Sequence, residues 1–177
     1  MATRYRIRST KDPAYIILTA GGAVPSLTSG CEPADVEMTT NKQVVSSLDF
    51  DPNTVEYAQW SLVLPDDYDG GTMTAKFYWT ANSTSTNSVV WGIQGVAYGD
   101  GSSIDTTWGT AVEVTDANGS TAYQLRITSE TSAMTIGGTP TGGKGVLFRT
   151  YRDATDASDT LASDAKLLFI RLKYTTT

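Results

Sequence analysis

Apolar side chains recur at every second position through most of the chain beyond residue 43. The clearest case is 72–80, where Met73, Ala75, Phe77 and Trp79 alternate with Thr74, Lys76 and Tyr78. A period of two is that of a strand with one buried face. The same pattern predicts strands over 43–50, 56–64, 88–98, 145–152 and 166–174. In 56–64 the apolar face is Ala58, Trp60, Leu62 and Leu64; in 88–98 it is Val89, Trp91, Ile93 and Ala97; in 166–174 it is Leu168, Ile170, Leu172 and Tyr174. Gly92 and Gly95 interrupt the other face of 88–98, a mark of a bulge or a close backbone approach. Shorter strands are expected over 111–115, 122–128 and 133–136.

Turn-forming clusters separate these runs: Asp51-Pro52-Asn53, Pro65-Asp66-Asp67, Asp116-Ala117-Asn118-Gly119 and the glycine-rich stretch 137–143. The pattern therefore predicts an all-β chain, an antiparallel sandwich or barrel of about eight strands. The stretch 155–165 reads as a loop or single turn because of its Asp and Ser content.

Residues 1–35 read differently. Arg4-Tyr5-Arg6-Ile7-Arg8 has the period of an extended segment, and Pro13, Gly21, Gly22, Pro25, Gly30 and Pro33 interrupt the residues after it. An extended N-terminal arm over 1–35 is expected, with a short strand over 15–19, ahead of a single domain over 36–177.

Charge and composition exclude several function classes. The net charge is −6, which disfavours nucleic acid and anionic membrane as partners. The first 35 residues carry +1 and the remainder −7, with all four N-terminal bases within the first eleven residues. Arg4, Tyr5, Arg6, Arg8 and Lys11 are thus the expected docking residues of the arm against an acidic protein surface. The chain has no histidine, which removes Ser-His and Cys-His catalysis and most zinc sites. Cys31 has no partner for a disulfide and no histidine to activate it. The acids lie singly or in turns, so no catalytic pair, metal or cofactor is expected. Asp66, Asp67 and Asp69, like Asp153, Asp156 and Asp159, have calcium-loop chemistry but no EF-hand spacing, and turn capping is the commoner use of such residues. Trp60, Trp79 and Trp91 fall on core faces. Trp108 stands in a polar loop, where it fits an interface or a ligand site as well as a plug at the end of a sandwich.

Several motifs carry a resemblance. They are Leu48-Asp49-Phe50-Asp51, Glu56-Tyr57-Ala58-Gln59-Trp60, Leu64-Pro65-Asp66-Asp67-Tyr68-Asp69-Gly70-Gly71-Thr72, Ala75-Lys76-Phe77-Tyr78-Trp79-Thr80, Val90-Trp91-Gly92-Ile93-Gln94-Gly95, Phe148-Arg149-Thr150-Tyr151-Arg152-Asp153 and Asp164-Ala165-Lys166-Leu167, with Ile17-Leu18-Thr19-Ala20-Gly21-Gly22 upstream. Together they resemble a family of tailed-phage and prophage virion proteins. The resemblance implies a jelly-roll β-sandwich at the virion surface, made in the host cytoplasm and without catalytic residues. The resemblance does not tell head from tail; the arm-plus-domain layout makes capsid decoration through the arm the leading role, with capsid or tail proteins as partners and a homotrimer by analogy. The alternative is a tail-fibre module that binds a receptor or carbohydrate, host surface glycans included.

Overall fold

A computed structural model describes residues 13–177. Eleven strands form two antiparallel sheets, joined by loops and one short 3-10 turn. They are β1 (Pro13–Thr19), β2 (Val24–Pro25), β3 (Glu32–Glu37), β4 (Val44–Phe50), β5 (Glu56–Val63), β6 (Thr74–Thr80), β7 (Ser88–Tyr98), β8 (Val112–Ala117), β9 (Arg126–Ile127), β10 (Gly145–Arg152) and β11 (Ala165–Thr175). One sheet runs β3-β4-β11-β6-β9, with β1 also on β11; the other runs β2-β5-β10-β7-β8. From β4 onward the chain crosses between sheets in the order of a jelly roll. Taken alone, the last eight strands give 1-8-3-6 in one sheet and 2-7-4-5 in the other. The fold is the expected all-β jelly-roll sandwich.

The predicted inward faces close one shared core. Met73, Ala75, Phe77 and Trp79 are buried, as are Val89, Trp91 and Ile93 opposite them. Trp91 sits at the centre. It stacks on Phe77 at 5.7 Å between centroids and meets Phe50 and Trp79 edge-on at 5.2 and 6.0 Å. The Trp79 indole donates to Asp116 Oδ2 at 2.9 Å and that of Trp60 to the Thr19 carbonyl at 2.9 Å. Trp60 and Trp79 thus enter the core with their polar edges turned to partners at its rim, whereas the Trp91 indole N–H is buried without a hydrogen-bond partner.

The chain departs from the sequence reading in four places. Residues 13–35 are not an arm: β1 pairs with β11 over seven residues, β2 with β5 and β3 with β4. Their prolines sit at the ends of β1 and β2 and within the edge strand β3, where a missing N–H is tolerated. Residues 1–12, with the rest of the expected arm, lie outside the described residues. In β11 the register shifts between Leu167 and Phe169, so Leu167 points inward and Leu168 outward. Gly95 lies on the inner face, where an added Cβ would stand 2.9 Å from the Phe148 ring. The expected strands over 122–128 and 133–136 shrink to β9 and to single bridges at Met134 and Gly137.

Arg152 is the least expected core residue. Val146, Phe148, Thr150 and Arg152 share the inward face of β10, and Arg152 is fully buried. All five of its N–H donors are used. Nε and Nη2 bond Asp159 at 2.9 and 2.7 Å, and Nη1 bonds the carbonyls of Phe50 at 3.2 Å and Ser163 at 2.8 Å. Nη2 also reaches the Leu161 carbonyl. Asp159 Oδ2 accepts in addition from the Val90 backbone N–H at 3.1 Å. Removing one partner of such a pair leaves the other charge buried and unpaired. We expect Arg152→Leu to destabilise the chain by about 3–5 kcal/mol, read as a lower urea midpoint. A change within about 0.5 kcal/mol would mean that the loop closes without it.

Candidate functional site

The outer face of the five-stranded sheet collects the side chains that point away from the core. On β10 these are Leu147, Arg149 and Tyr151; on β5 they are Tyr57, Gln59 and Ser61. Register sets them side by side: Tyr57 opposes Tyr151, Gln59 opposes Arg149, and Ser61 opposes Leu147. On the other flank Gln94 opposes Arg149 and Gly92 opposes Tyr151. Glu113 of β8 lies beyond Gly92.

The absence of a side chain at Gly92 shapes this surface. The Tyr151 ring lies over the glycine, and a Cβ there would stand 2.2 Å from Tyr151 Cζ. The ring thereby reaches across β7, and its hydroxyl donates to Glu113 Oε1 at 2.7 Å. Tyr57 packs at its other side, with centroids 5.7 Å apart. Burial, then the bond to Glu113, pushes the Tyr151 phenol well above the usual tyrosine range.

Trp108 joins the same face from the loop before β8. It lies on the outside of the sheet, and the backbone beside it crosses β7 with Gly109 N–H donating to the Gly95 carbonyl at 2.9 Å. The Arg149 guanidinium stacks on the Trp108 ring at 4.8 Å and on the Tyr57 ring at 4.7 Å. With its amide oxygen turned to the arginine, Gln94 accepts from Arg149 Nε at 2.9 Å and also from Nη2. The result is a half-buried row of three aromatic rings carrying a fixed cation and two glutamines. A depression of about 250 Å³ continues beside it, lined by Val24, Pro25, Ser26, Leu27, Gln59, Ser61 and Leu147.

At the Tyr151 end, carboxylate oxygens of Glu113, Asp153 and Asp156 come within 4.8 Å of one another. Two of the three are engaged in local turns. Asp153 Oδ1 accepts from Thr155 N–H and Oγ1 at 3.1 and 2.7 Å, and Asp156 Oδ1 accepts from Ser158 N–H at 2.7 Å. Asp159 is the buried partner of Arg152. In the other acidic loop, Asp69 Oδ1 caps Gly71 N–H at 2.8 Å and Asp67 accepts from the Tyr174 hydroxyl at 3.2 Å. The turn-capping use expected of these aspartates holds for Asp69, Asp153 and Asp156, while Asp159 and Asp67 serve longer-range partners.

Of the other residues that the sequence singles out, Arg4, Tyr5, Arg6, Arg8 and Lys11 lie outside the described residues. Cys31 is buried, and burial pushes its thiol up to about 12, so it stays protonated at neutral pH. Of the residues at this surface, sequence reasoning singled out only Trp108, as an interface or ligand aromatic or else a plug at the end of the sandwich. Tyr57, Arg149 and Tyr151 carried a signal, since each alternates with core residues on its own strand.

No family model matches the chain, and no curated protein does. Among solved structures, the chain is similar to a family 35 carbohydrate-binding module from Clostridium thermocellum at 10% identity. That match covers 90% of this chain and 97% of the other, with a TM-score of 0.47. It is also similar to the CBM36-1 domain of a multidomain xylanase from the hindgut metagenome of Trinervitermes trinervoides, at 9% identity, 90% and 96% coverage and a TM-score of 0.48. A third is a Paenibacillus sp. cycloisomaltooligosaccharide glucanotransferase, at 12% identity, 88% and 18% coverage and a TM-score of 0.49. Likenesses of this degree concern architecture and leave the ligand to be argued from this chain's own residues.

The surface depends on Gly92 in a way that can be measured. Gly92→Ala is expected to push the Tyr151 ring off the sheet and break its bond to Glu113. In an ultraviolet titration of the tyrosines, one fewer phenol should then ionise late. An unchanged titration would show that the ring does not need the glycine.

Proposed function

We propose that this chain is a non-catalytic glycan-binding β-sandwich that holds its ligand on the outer face of the five-stranded sheet. The observation that carries the reading is the row of half-buried rings, Tyr57, Tyr151 and Trp108, interleaved with Gln59, Gln94, Arg149 and Glu113. Sugar rings have apolar C–H faces and a periphery of hydroxyls. Aromatic faces meet the first, and amides, a guanidinium and a carboxylate meet the second. The rings rest on a sheet closed by a full core, so little ordering entropy is lost when a ligand arrives.

The resemblance to virion proteins gives this reading a setting: a module displayed on a phage particle to grip host surface glycans. A second reading, attachment to the particle as a decoration protein, draws support from the opposite face. There Tyr15, Ile17, Ile127 and Phe169 are each more than 40% exposed on the outside of the six-stranded sheet. Arg171, Lys173 and Lys76 stand among them, and a mixed apolar and basic face of that kind suits an acidic neighbouring virion subunit.

Glycan-array binding tests the first reading. Trp108→Ala and Tyr57→Ala should each weaken any bound glycan by about tenfold or more, as loss of a central aromatic contact does, while the melting temperature stays close to that of the native chain. A chain that binds particles tightly and no glycan at all would favour the decoration reading instead.

A further inference from the structure

We infer that the glycan is acidic, and that Arg149 receives the oxyanion of one of its sugar units, a uronate carboxylate or a sulfate ester. The inference rests on the reading of the outer face as a glycan site and narrows the ligand class. Four arginines lie in the described part of the chain. Arg126 has Asp116 at 3.9 Å, Arg152 has Asp159 at 2.7 Å and Arg171 has Glu130 at 3.9 Å. Among the described residues, no carboxylate pairs with Arg149. Of the four described arginines it alone has no acid partner, in a chain of net charge −6.

Arg149 is also held ready. Its guanidinium stacks on Tyr57 and Trp108 at 4.7 and 4.8 Å, so the rings take up its planar surface and leave its in-plane N–H edges for hydrogen bonds. Gln94 takes the edge formed by Nε and Nη2. The remaining fork, one Nη1 N–H beside the second Nη2 N–H, has no partner among the described residues. A planar fork with fixed direction is the geometry that suits a carboxylate or sulfate. The neutral Gln94 fixes the arginine without cancelling its charge, which an Asp or Glu at that position would do.

The acids at the other end set the polarity of the ligand. Asp153 follows directly on the end of β10, and Tyr151, whose hydroxyl bonds Glu113, lies two residues beyond Arg149 on that strand. Glu113, Asp153 and Asp156 repel an anion there and accept from sugar hydroxyls. The charged group therefore sits at the arginine, with neutral hydroxyls toward the acids. The repulsion from the rest of the chain is screened over about 8 Å at physiological ionic strength, which leaves the contact at Arg149 to decide.

The test is an array of matched pairs probed with the full chain. Oligogalacturonate, oligoalginate and hyaluronan oligosaccharides are each printed beside their carboxyl-reduced forms, and a sulfated galactan oligosaccharide beside its desulfated form. Binding confined to charged members is expected, and the carboxylated and sulfated arms tell the two sources apart. Arg149→Gln should weaken the bound member by about tenfold or more, the usual worth of a hydrogen bond to a charged group. Arg149→Lys, which keeps charge but not the fork, should restore only part of it. Equal binding of charged and neutral members, or an Arg149→Gln chain that binds as tightly as the native one, would overturn the acidic ligand and leave the glycan reading standing. No binding to any member, charged or neutral, would overturn both.

Discussion

The five hydrogen bonds of Arg152 tie the two sheets and the last crossover loop together at one point. The arginine ends β10 in one sheet. Its donors reach the carbonyl that ends β4 in the other sheet, and the loop between β10 and β11. Asp159, in that loop, also accepts from β7 at Val90. One buried ion pair thus fixes the distance between the sheets at one end and the path of the last crossover. Its desolvation is offset because every guanidinium donor is satisfied, the condition under which a buried charge pair is tolerated. The aromatic cluster around Trp91 then fills the space that this pair holds open.

The strand that carries Arg152 also carries the candidate site. Along β10 the even residues 146, 148, 150 and 152 face the core, and the odd residues 147, 149 and 151 face out. Whatever sets the register of β10 therefore sets both faces together. A slip of one residue would put Arg149 and Tyr151 into the core and expel Phe148 and Arg152. Pairing of eight residues with β5 on one side and eight with β7 on the other leaves no freedom for that slip. The position of Arg149 between Tyr57 and Gln94 is thus a consequence of core packing on the reverse side.

Much of this was legible in the sequence, and the rest was not for physical reasons. Alternation gave the inward faces of β5, β6 and β7 because one buried face imposes a strict period of two. It misplaced Leu168, since a register shift resets the parity and leaves no mark in composition. It gave β1 as the short strand over 15–19 but hid β2 and β3 behind prolines and glycines, because short edge strands take their pairing from neighbours far along the chain. The same parity that put Phe148 in the core also put Arg152 there, but an arginine invites an outward reading unless its acid partner is known. The site itself was divided among motifs. Tyr57, Arg149 and Trp108 each stand outward of a strand or in a loop. Only the order β5-β10-β7, which joins segments about 90 residues apart, makes them neighbours.

Glycine at 92 shows how the fold and the surface chemistry constrain one another. On the inner side of β7, Trp91 and Ile93 must pack against the opposite sheet, which fixes the backbone between them. On the outer side that backbone has to leave room for the Tyr151 ring, and no residue with a Cβ does. The cost is the extra chain entropy that glycine loses in a strand, about 0.5–1 kcal/mol relative to alanine. In return the tyrosine lies flat, its hydroxyl meets Glu113, and Tyr57 gains a neighbour against which to stand. A surface used only to repel solvent would gain nothing from that arrangement. A surface that must present rings in a fixed plane gains the rigidity that binding requires.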